Sequence, residues 1–335
     1  MQPRDLSLLL QIPDLPNSID RVNAHLIDCF RSVDMLISRP SLRLIKTGGK
    51  RIRSCLVIAA NRACGGATNE DVIIAATAIE LAHLGSLVHD DILDAANLRG
   101  NQPSIYAQEG SDAAIIVGDY FLTLATELAS RISARAANTT AMAILKMCEG
   151  QMQETADDFN VQRSRKRYED CVRGKTGALL GAATELGAIT AEADSEKTAA
   201  LRCYGEQFGM VFQLIDDLMD FLASEKVMGK PVHNDAKEGV YTLPLILSLA
   251  GPASKDILPI LDHKPLQPQD YDLLIDILKK DGSLATTLAA AQDCGQKASE
   301  ALRLMPQSKA VKGLSRLPEY YIQQIVKNQA VLPIM

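Results

Sequence analysis

The sequence predicts an all-α protein, an antiparallel helical bundle forming one domain over residues 1–335. Three observations predict it. Apolar residues recur at spacings of three and four along most of the chain, the period of a helix with one buried face. No run alternates with period two, and no Asn-Gly hairpin signal occurs. The 47% hydrophobic content is mainly Leu, Ile, Val and Ala, with 4% aromatic residues and no Trp.

Taken in chain order, residues 1–16 read as an extended or irregular segment, because the short run Leu8–Leu10 gives way to Gln11 and Pro13. That run is too short for a signal peptide. Ile19, Val22, Leu26, Phe30, Val33 and Ile37 then step as a helix, with Asn17 and Ser18 placed to cap it. Gly48-Gly49 forms a flexible turn. After the Gly65-Gly66 break, Thr68 to Asp71 start a helix that stays apolar to Ala96. Further helices are predicted over 113–135, 139–157, 201–222, 241–249, 284–304 and 314–329. The proline-rich stretch 252–268 reads as a surface connection between helices.

A net charge of −6 argues against a nucleic-acid partner, which calls for a basic face, and against a polybasic membrane anchor. No uninterrupted apolar stretch approaches the ~18 residues of a membrane span, so no stable membrane insertion is expected. The seven cysteines are scattered and include no C-x-x-C pair, which argues against zinc or disulfides and for thiols in the cytoplasm.

Two acidic stripes carry the chemistry. In His83-Leu84-Gly85-Ser86-Leu87-Val88-His89-Asp90-Asp91-Ile92-Leu93-Asp94, helical spacing aligns His83, Ser86, Asp90 and Asp94 on one face, with Asp91 beside it. A second segment, Phe212-Gln213-Leu214-Ile215-Asp216-Asp217-Leu218-Met219-Asp220, repeats the D-D-x-x-D pattern. One such motif alone reads more readily as a solvated acidic face than as a metal site. Two full copies on helices that are apolar nearly all round do not, because desolvated like charges need neutralising cations. Oxygen ligands at this spacing suit Mg²⁺, which takes one or two carboxylates together with substrate phosphates. Gly48-Gly49-Lys50-Arg51-Ile52-Arg53 by itself is either a basic turn or an anion pocket, and the acidic helices favour the second.

With these motifs the chain resembles the trans-isoprenyl diphosphate synthases, the polyprenyl synthetase family, over Gly48 to Pro244. The resemblance implies the isoprenoid synthase fold with a central apolar cavity, and head-to-tail condensation of an allylic diphosphate with isopentenyl diphosphate. It places two to three Mg²⁺ ions on Asp90, Asp91, Asp94, Asp216, Asp217 and Asp220. Arg99 would contact the allylic diphosphate, and Lys50, Arg53 and His83 the isopentenyl diphosphate. Lys175, Thr176 and Gln213 would lie near the ionising carbon, and Lys230 would close over the allylic phosphates. His89 reads as a neighbour that packs or hydrogen-bonds and not as a metal ligand, since hard Mg²⁺ prefers oxygen. Gly85 and Ser86, small where short-chain members often carry aromatic residues, favour a long all-trans product of about six to eight isoprene units for a quinone tail. A homodimer is the family's usual state, and a heteromeric partner subunit stays open.

The sequence also departs from the family. Two arginines followed by glycine are usual after the first motif, but here Leu98-Arg99-Gly100-Asn101-Gln102-Pro103 puts Gly100 in place of the second Arg. The expectation is a weakened isopentenyl site, compensated by Arg51 or a neighbour. Val240 stands where Lys often follows Gly239, and Ser54 replaces a common Pro. These departures keep other readings open: a weakly active or non-catalytic subunit, a class I terpene cyclase, or an isoprenoid-binding scaffold. The full second D-D-x-x-D speaks against the cyclase.

Overall fold

The computed structural model describes residues 3–222, 235–263 and 265–328. Among them the regular secondary structure is helical except for one hairpin of two-residue strands. The helices are α1 (Pro3–Leu10), α2 (Leu15–Asp28), α3 (Met35–Lys46), α4 (Ile52–Ala63), α5 (Glu70–Leu93), α6 (Ile105–Glu109), α7 (Ser111–Ile132), α8 (Ala134–Thr155), α9 (Arg165–Val172), α10 (Ala178–Ile189) and α11 (Ser195–Leu222). After them come α12 (Asp235–Glu238), α13 (Leu243–Leu249), α14 (Ser254–Leu261), α15 (Pro268–Lys280), α16 (Ser283–Ala301) and α17 (Lys309–Asn328). The chain divides into two compact units. One comprises Met1–Leu145, Leu179–Gly205 and Ala301–Ser315; the other comprises Lys146–Ala178, Glu206–Glu300 and Arg316–Met335.

In the first unit, α5 is the central element. Asn69 caps it by accepting from the Val72 amide at 3.1 Å, with Glu70 and Asp71 favourably placed in its first turn. Its residues are buried on nearly every side, as the apolar run requires. Gly85 lets α7 approach closely: a Cβ there would lie 2.9 Å from Leu122 Cδ2 and 3.1 Å from the Gly118 carbonyl. By length and composition α5 and α7 could each cross a membrane, because isolated charges do not lower the average hydropathy enough; yet 72% of the most apolar stretch of α5 is buried within the protein. In the second unit, Phe208 and Phe212 of α11 pack on Tyr321 of α17, with ring centroids 5.9 and 5.3 Å apart.

Several boundaries differ from the sequence reading. Residues 3–10 form a helix and not an irregular segment, because Leu6 and Leu10 supply an apolar face that is fully buried. The helix expected through Ile19–Ile37 is two helices broken at residues 29–34, and α2 starts earlier, with Pro16 in its first turn. The proline-rich connection contains α14, which tolerates Pro259 internally. The hairpin unseen in the sequence pairs β1 (Leu98–Arg99) with β2 (Gln102–Pro103), Arg99 opposite Gln102. Its loop is Gly100-Asn101 with φ of 58° and 62°, the double positive φ of a type I′ turn.

Candidate active site

The first unit holds the first acidic motif and the basic loop. Asp90, Asp91 and Asp94 lie at the C-terminal end of α5, where the helix dipole is negative and further carboxylates are unfavourable unless a cation joins them. Asp90 is half-buried, Asp94 exposed, and Asp91 only 1% exposed. Arg99, on β1, reaches back to Asp91: Nε donates to Oδ1 at 2.9 Å. Burial pushes the Asp91 carboxyl above its usual pKa against the pull of Arg99. The hairpin turn places Gly100 beside Thr47, where an added Cβ would come within 3.2 Å of Thr47 Cβ. The position lacking the family's second arginine therefore adjoins the residue that leads into Gly48-Gly49.

The basic loop joins α3 to α4. Gly48 and Gly49 have φ of 80° and 152°, and Arg51 itself is left-handed at 49°. Lys50 is exposed and Arg53 half-buried. Arg51 is buried instead of available for an anion: it pairs with Glu80 at 3.3 Å and donates to Asn23 Oδ1 at 3.0 Å. It therefore does not replace the missing arginine. On α5, His83 lies within electrostatic reach of three of these cations. Burial first, then the positive charges of Arg53, Arg99 and Arg51, hold its pKa well below the ordinary histidine value. The imidazole is neutral, among guanidinium groups that an anion would complement.

The second unit holds the other motif and the Lys-Thr pair. Lys175 and Thr176 sit in a π-turn (Arg173–Gly177) between α9 and α10, a widened turn common at functional sites. α8 crosses it closely at Gly150, where a Cβ would fall 2.4 Å from the Lys175 amide nitrogen. Glu154, one turn further along α8, forms an ion pair with Lys175. Thr176 Oγ1 donates to Gln213 Oε1 at 2.9 Å, and Gln213 Nε2 donates to Asp217 Oδ1 at 2.9 Å. The Tyr168 hydroxyl donates to the other oxygen, Oδ2. Asp217 is 1% exposed, and desolvation raises its pKa to about 7 despite the two donors. Asp216 is half-buried and Asp220 buried. Behind Tyr168, Arg163 stacks on the ring at 5.5 Å, pairs with buried Asp157 at 3.3 Å and donates to the Tyr241 carbonyl at 3.0 Å.

The residues expected from the sequence thus fall into one cluster per unit: Lys50, Arg53, His83, Arg99, Asp90, Asp91 and Asp94 in the first; Lys175, Thr176, Gln213, Asp216, Asp217 and Asp220 in the second. Lys230 lies outside the described residues. Gly85 and Ser86 lie on α5, Gly85 buried against α7 and Ser86 half-exposed. Glu80, Glu154 and Tyr168 escaped sequence reasoning. A lone acid one turn before His83 in an apolar helix was the only signal for Glu80, and Tyr168 gave none. None of the cysteines forms a disulfide.

Among the described residues no group of three or more His, Cys, Asp or Glu side chains converges tightly enough to enclose a metal ion. The carboxylates still fit a hard divalent cation. Asp91 and Asp217 are oxygen donors whose charge is disfavoured by burial, and Mg²⁺ is typically bound through one or two carboxylates with phosphates completing the shell.

The profile of the polyprenyl synthetase family matches residues 34–278. Heptaprenyl diphosphate synthase component 2 of Bacillus subtilis is 32% identical over 317 residues, covering 94% of this chain and 90% of the relative. A polyprenyl synthase from Caulobacter crescentus, solved with calcium and isoprenyl diphosphate, superposes with a TM-score of 0.86 at 30% identity, covering 95% of this chain and 97% of that one. A decaprenyl diphosphate synthase from Rhodobacter capsulatus gives a TM-score of 0.87 at 28% identity, covering 96% and 99%. The all-helical fold of these synthases is the fold of this chain.

Proposed function

Because the chain belongs to the polyprenyl synthetase family, we propose that it is a Mg²⁺-dependent prenyltransferase joining isopentenyl diphosphate to an allylic diphosphate to give a long all-trans polyprenyl diphosphate. One observation carries this most directly: each D-D-x-x-D motif buries its second aspartate, Asp91 and Asp217, to 1% exposure, and burial raises both pKa values. Such carboxylates are poor isolated anions and good cation ligands.

Asp90, Asp91, Asp94, Asp216, Asp217 and Asp220 would hold two to three Mg²⁺ ions. When bound, Mg²⁺ neutralises the charge that grows on the departing diphosphate and fixes its orientation. The chain's own groups do the rest. Arg99 contacts the allylic diphosphate. Lys50, Arg53 and neutral His83 take the diphosphate of the second substrate, and His83 gives it a hydrogen bond without adding a charge. The allylic C–O bond breaks with its electron pair leaving on diphosphate. Thr176 and Gln213 present oriented dipoles to the resulting cation, while the Glu154 partner holds the Lys175 ammonium in place. The isopentenyl double bond attacks, a C–C bond forms, and the proton lost in making the new double bond goes to diphosphate. Lys230 would add a contact to the allylic phosphates.

A long product agrees with the heptaprenyl and decaprenyl synthases among the relatives and with the absence of a bulky side chain at Ser86; a quinone tail is the fitting use. Exposed Ile115 and Ile116 on α7 and Met142 and Leu145 on α8 form apolar surface suited to a homodimer. A cytoplasmic setting follows the sequence reading of seven scattered cysteines without a C-x-x-C pair.

A second reading, a chain fully active only with another subunit, is favoured by Gly100 at the missing arginine and by a relative named as one component of its synthase. Incubating the purified protein with Mg²⁺, radiolabelled isopentenyl diphosphate and primers of several lengths tests both. Elongated chains are expected with Mg²⁺ and none after chelation. Absence of product with every primer would overturn the self-sufficient enzyme.

A further inference from the structure

We propose that Glu80, anchored by Ser54, is a positioning residue that holds the cationic loop 48–53 in its phosphate-binding form. This rests on the assignment of that loop to isopentenyl diphosphate. Arg51 immediately precedes α4 with a left-handed φ of 49°, and its side chain is buried. A non-glycine residue there is strained by roughly 1–2 kcal/mol, so surrounding contacts must impose the conformation. Glu80 imposes it from both sides. Its Oε2 takes Arg51 Nη1 at 3.3 Å, with both side chains about 95% enclosed, at 5% and 4% exposure. Its Oε1 accepts from the Ser54 amide at 3.1 Å and from Ser54 Oγ at 3.0 Å.

One carboxylate thus ties the residue before α4 to the first turn of α4. It also lies at the positive end of that helix. Lys50 immediately precedes the tied segment, and Arg53 lies within it. His83 follows Glu80 by three residues on α5, so the helix that bears the anchor also bears the histidine assigned to the same diphosphate. Arg51 has no slack to bind substrate, since Nε and Nη2 go to Asn23 Oδ1 at 3.0 Å and the Ile45 carbonyl at 3.4 Å. Ser54 is the chain's own contribution. A proline at this position has no N–H to give Glu80, whereas serine supplies two donors.

Glu80→Gln and Ser54→Ala test the proposal, read as separate Michaelis constants for the two substrates, kcat, thermal midpoint, and calorimetric titration with isopentenyl diphosphate. Loss of one charge-assisted contact corresponds to about tenfold in affinity. Glu80→Gln is expected to raise the isopentenyl constant by about that factor while the allylic constant stays within about twofold; Ser54→Ala gives the same selectivity at about threefold. Equal rises for both substrates, or a lowered midpoint with neither constant changed, would overturn it. If Glu80→Gln does not fold, Ser54→Ala decides alone. Should the wild type not turn over alone, the self-sufficient prenyltransferase reading fails, and calorimetry still reports whether the anchor controls binding of isopentenyl diphosphate.

Discussion

Tyr168 and Asp217, 49 residues apart, share a buried hydrogen bond in which the phenol donates to the carboxylate. Asp217 accepts from Gln213 on its other oxygen, so both oxygens are oriented before any cation arrives. Loss of a group that orients a metal ligand typically costs 10–100-fold in metal affinity or activity. Tyr168→Phe is therefore expected to raise the Mg²⁺ concentration for half-maximal rate by roughly tenfold. Kinetic titration with Mg²⁺ checks it, and calorimetric Mg²⁺ binding gives the same quantity without turnover.

His83 supplies a pH dependence. Its folded pKa is depressed below an unfolded value near 6.5, so under acid the unfolded chain binds the proton first. Stability from this group is present above about pH 6.5 and is lost as pH falls toward the folded pKa, by up to ~1.4 kcal/mol per pH unit. His83→Gln should flatten the fall of the thermal midpoint between about pH 6.5 and 5 relative to wild type. Midpoints in matched buffers give the comparison.

Gly100→Arg restores the cation the family usually has, in a backbone that resists it. The φ of 58° and the 3.2 Å approach of an added Cβ to Thr47 both oppose a side chain. The expected result is mixed: a several-fold lower Michaelis constant for isopentenyl diphosphate, with a loss of stability of about 1–2 kcal/mol. Gly100→Ala isolates the strain and should lose the stability without the gain. Steady-state kinetics and thermal denaturation separate the two.

Product length is best probed at Ser86. At Gly85 even a methyl group meets Leu122 at 2.9 Å, so Gly85→Ala should destabilise by about 1–3 kcal/mol whatever it does to product length. Half-exposed Ser86 accepts a larger side chain more readily, and Ser86→Phe should shift the products to shorter chains. Chromatography of the dephosphorylated products decides; an unchanged distribution would remove Ser86 from the length-setting residues.

The residues legible in the sequence were those whose role follows from local spacing. The stripe of His83, Ser86, Asp90 and Asp94, spaced by three and four residues, runs from half-buried to exposed along one face of α5. The apolar surroundings of the motifs implied buried carboxylates; Asp91, Asp217 and Asp220 are buried, whereas Asp90 and Asp216 are half-buried and Asp94 is exposed. Contacts between distant segments were not legible. Nothing near Arg51 marks it as the buried partner of Glu80, and its charge made it look like a phosphate ligand. His89, read as a neighbour that packs or hydrogen-bonds, hydrogen-bonds across to α7, 3.3 Å from the Ile115 carbonyl. The break between α2 and α3 was hidden because apolar residues keep helical spacing across it. The Gly100-Asn101 turn was missed because two-residue strands are too short to show alternation.

The π-turn at Arg173–Gly177 has a consequence for how this chain can vary. Such a turn accommodates one more residue than a regular helical turn. Shortening the segment by one would let the helix close normally and rotate Thr176 by about 100° relative to α10, out of line with Gln213. A single-codon deletion between α9 and α10 would misalign the Lys-Thr pair without touching either residue.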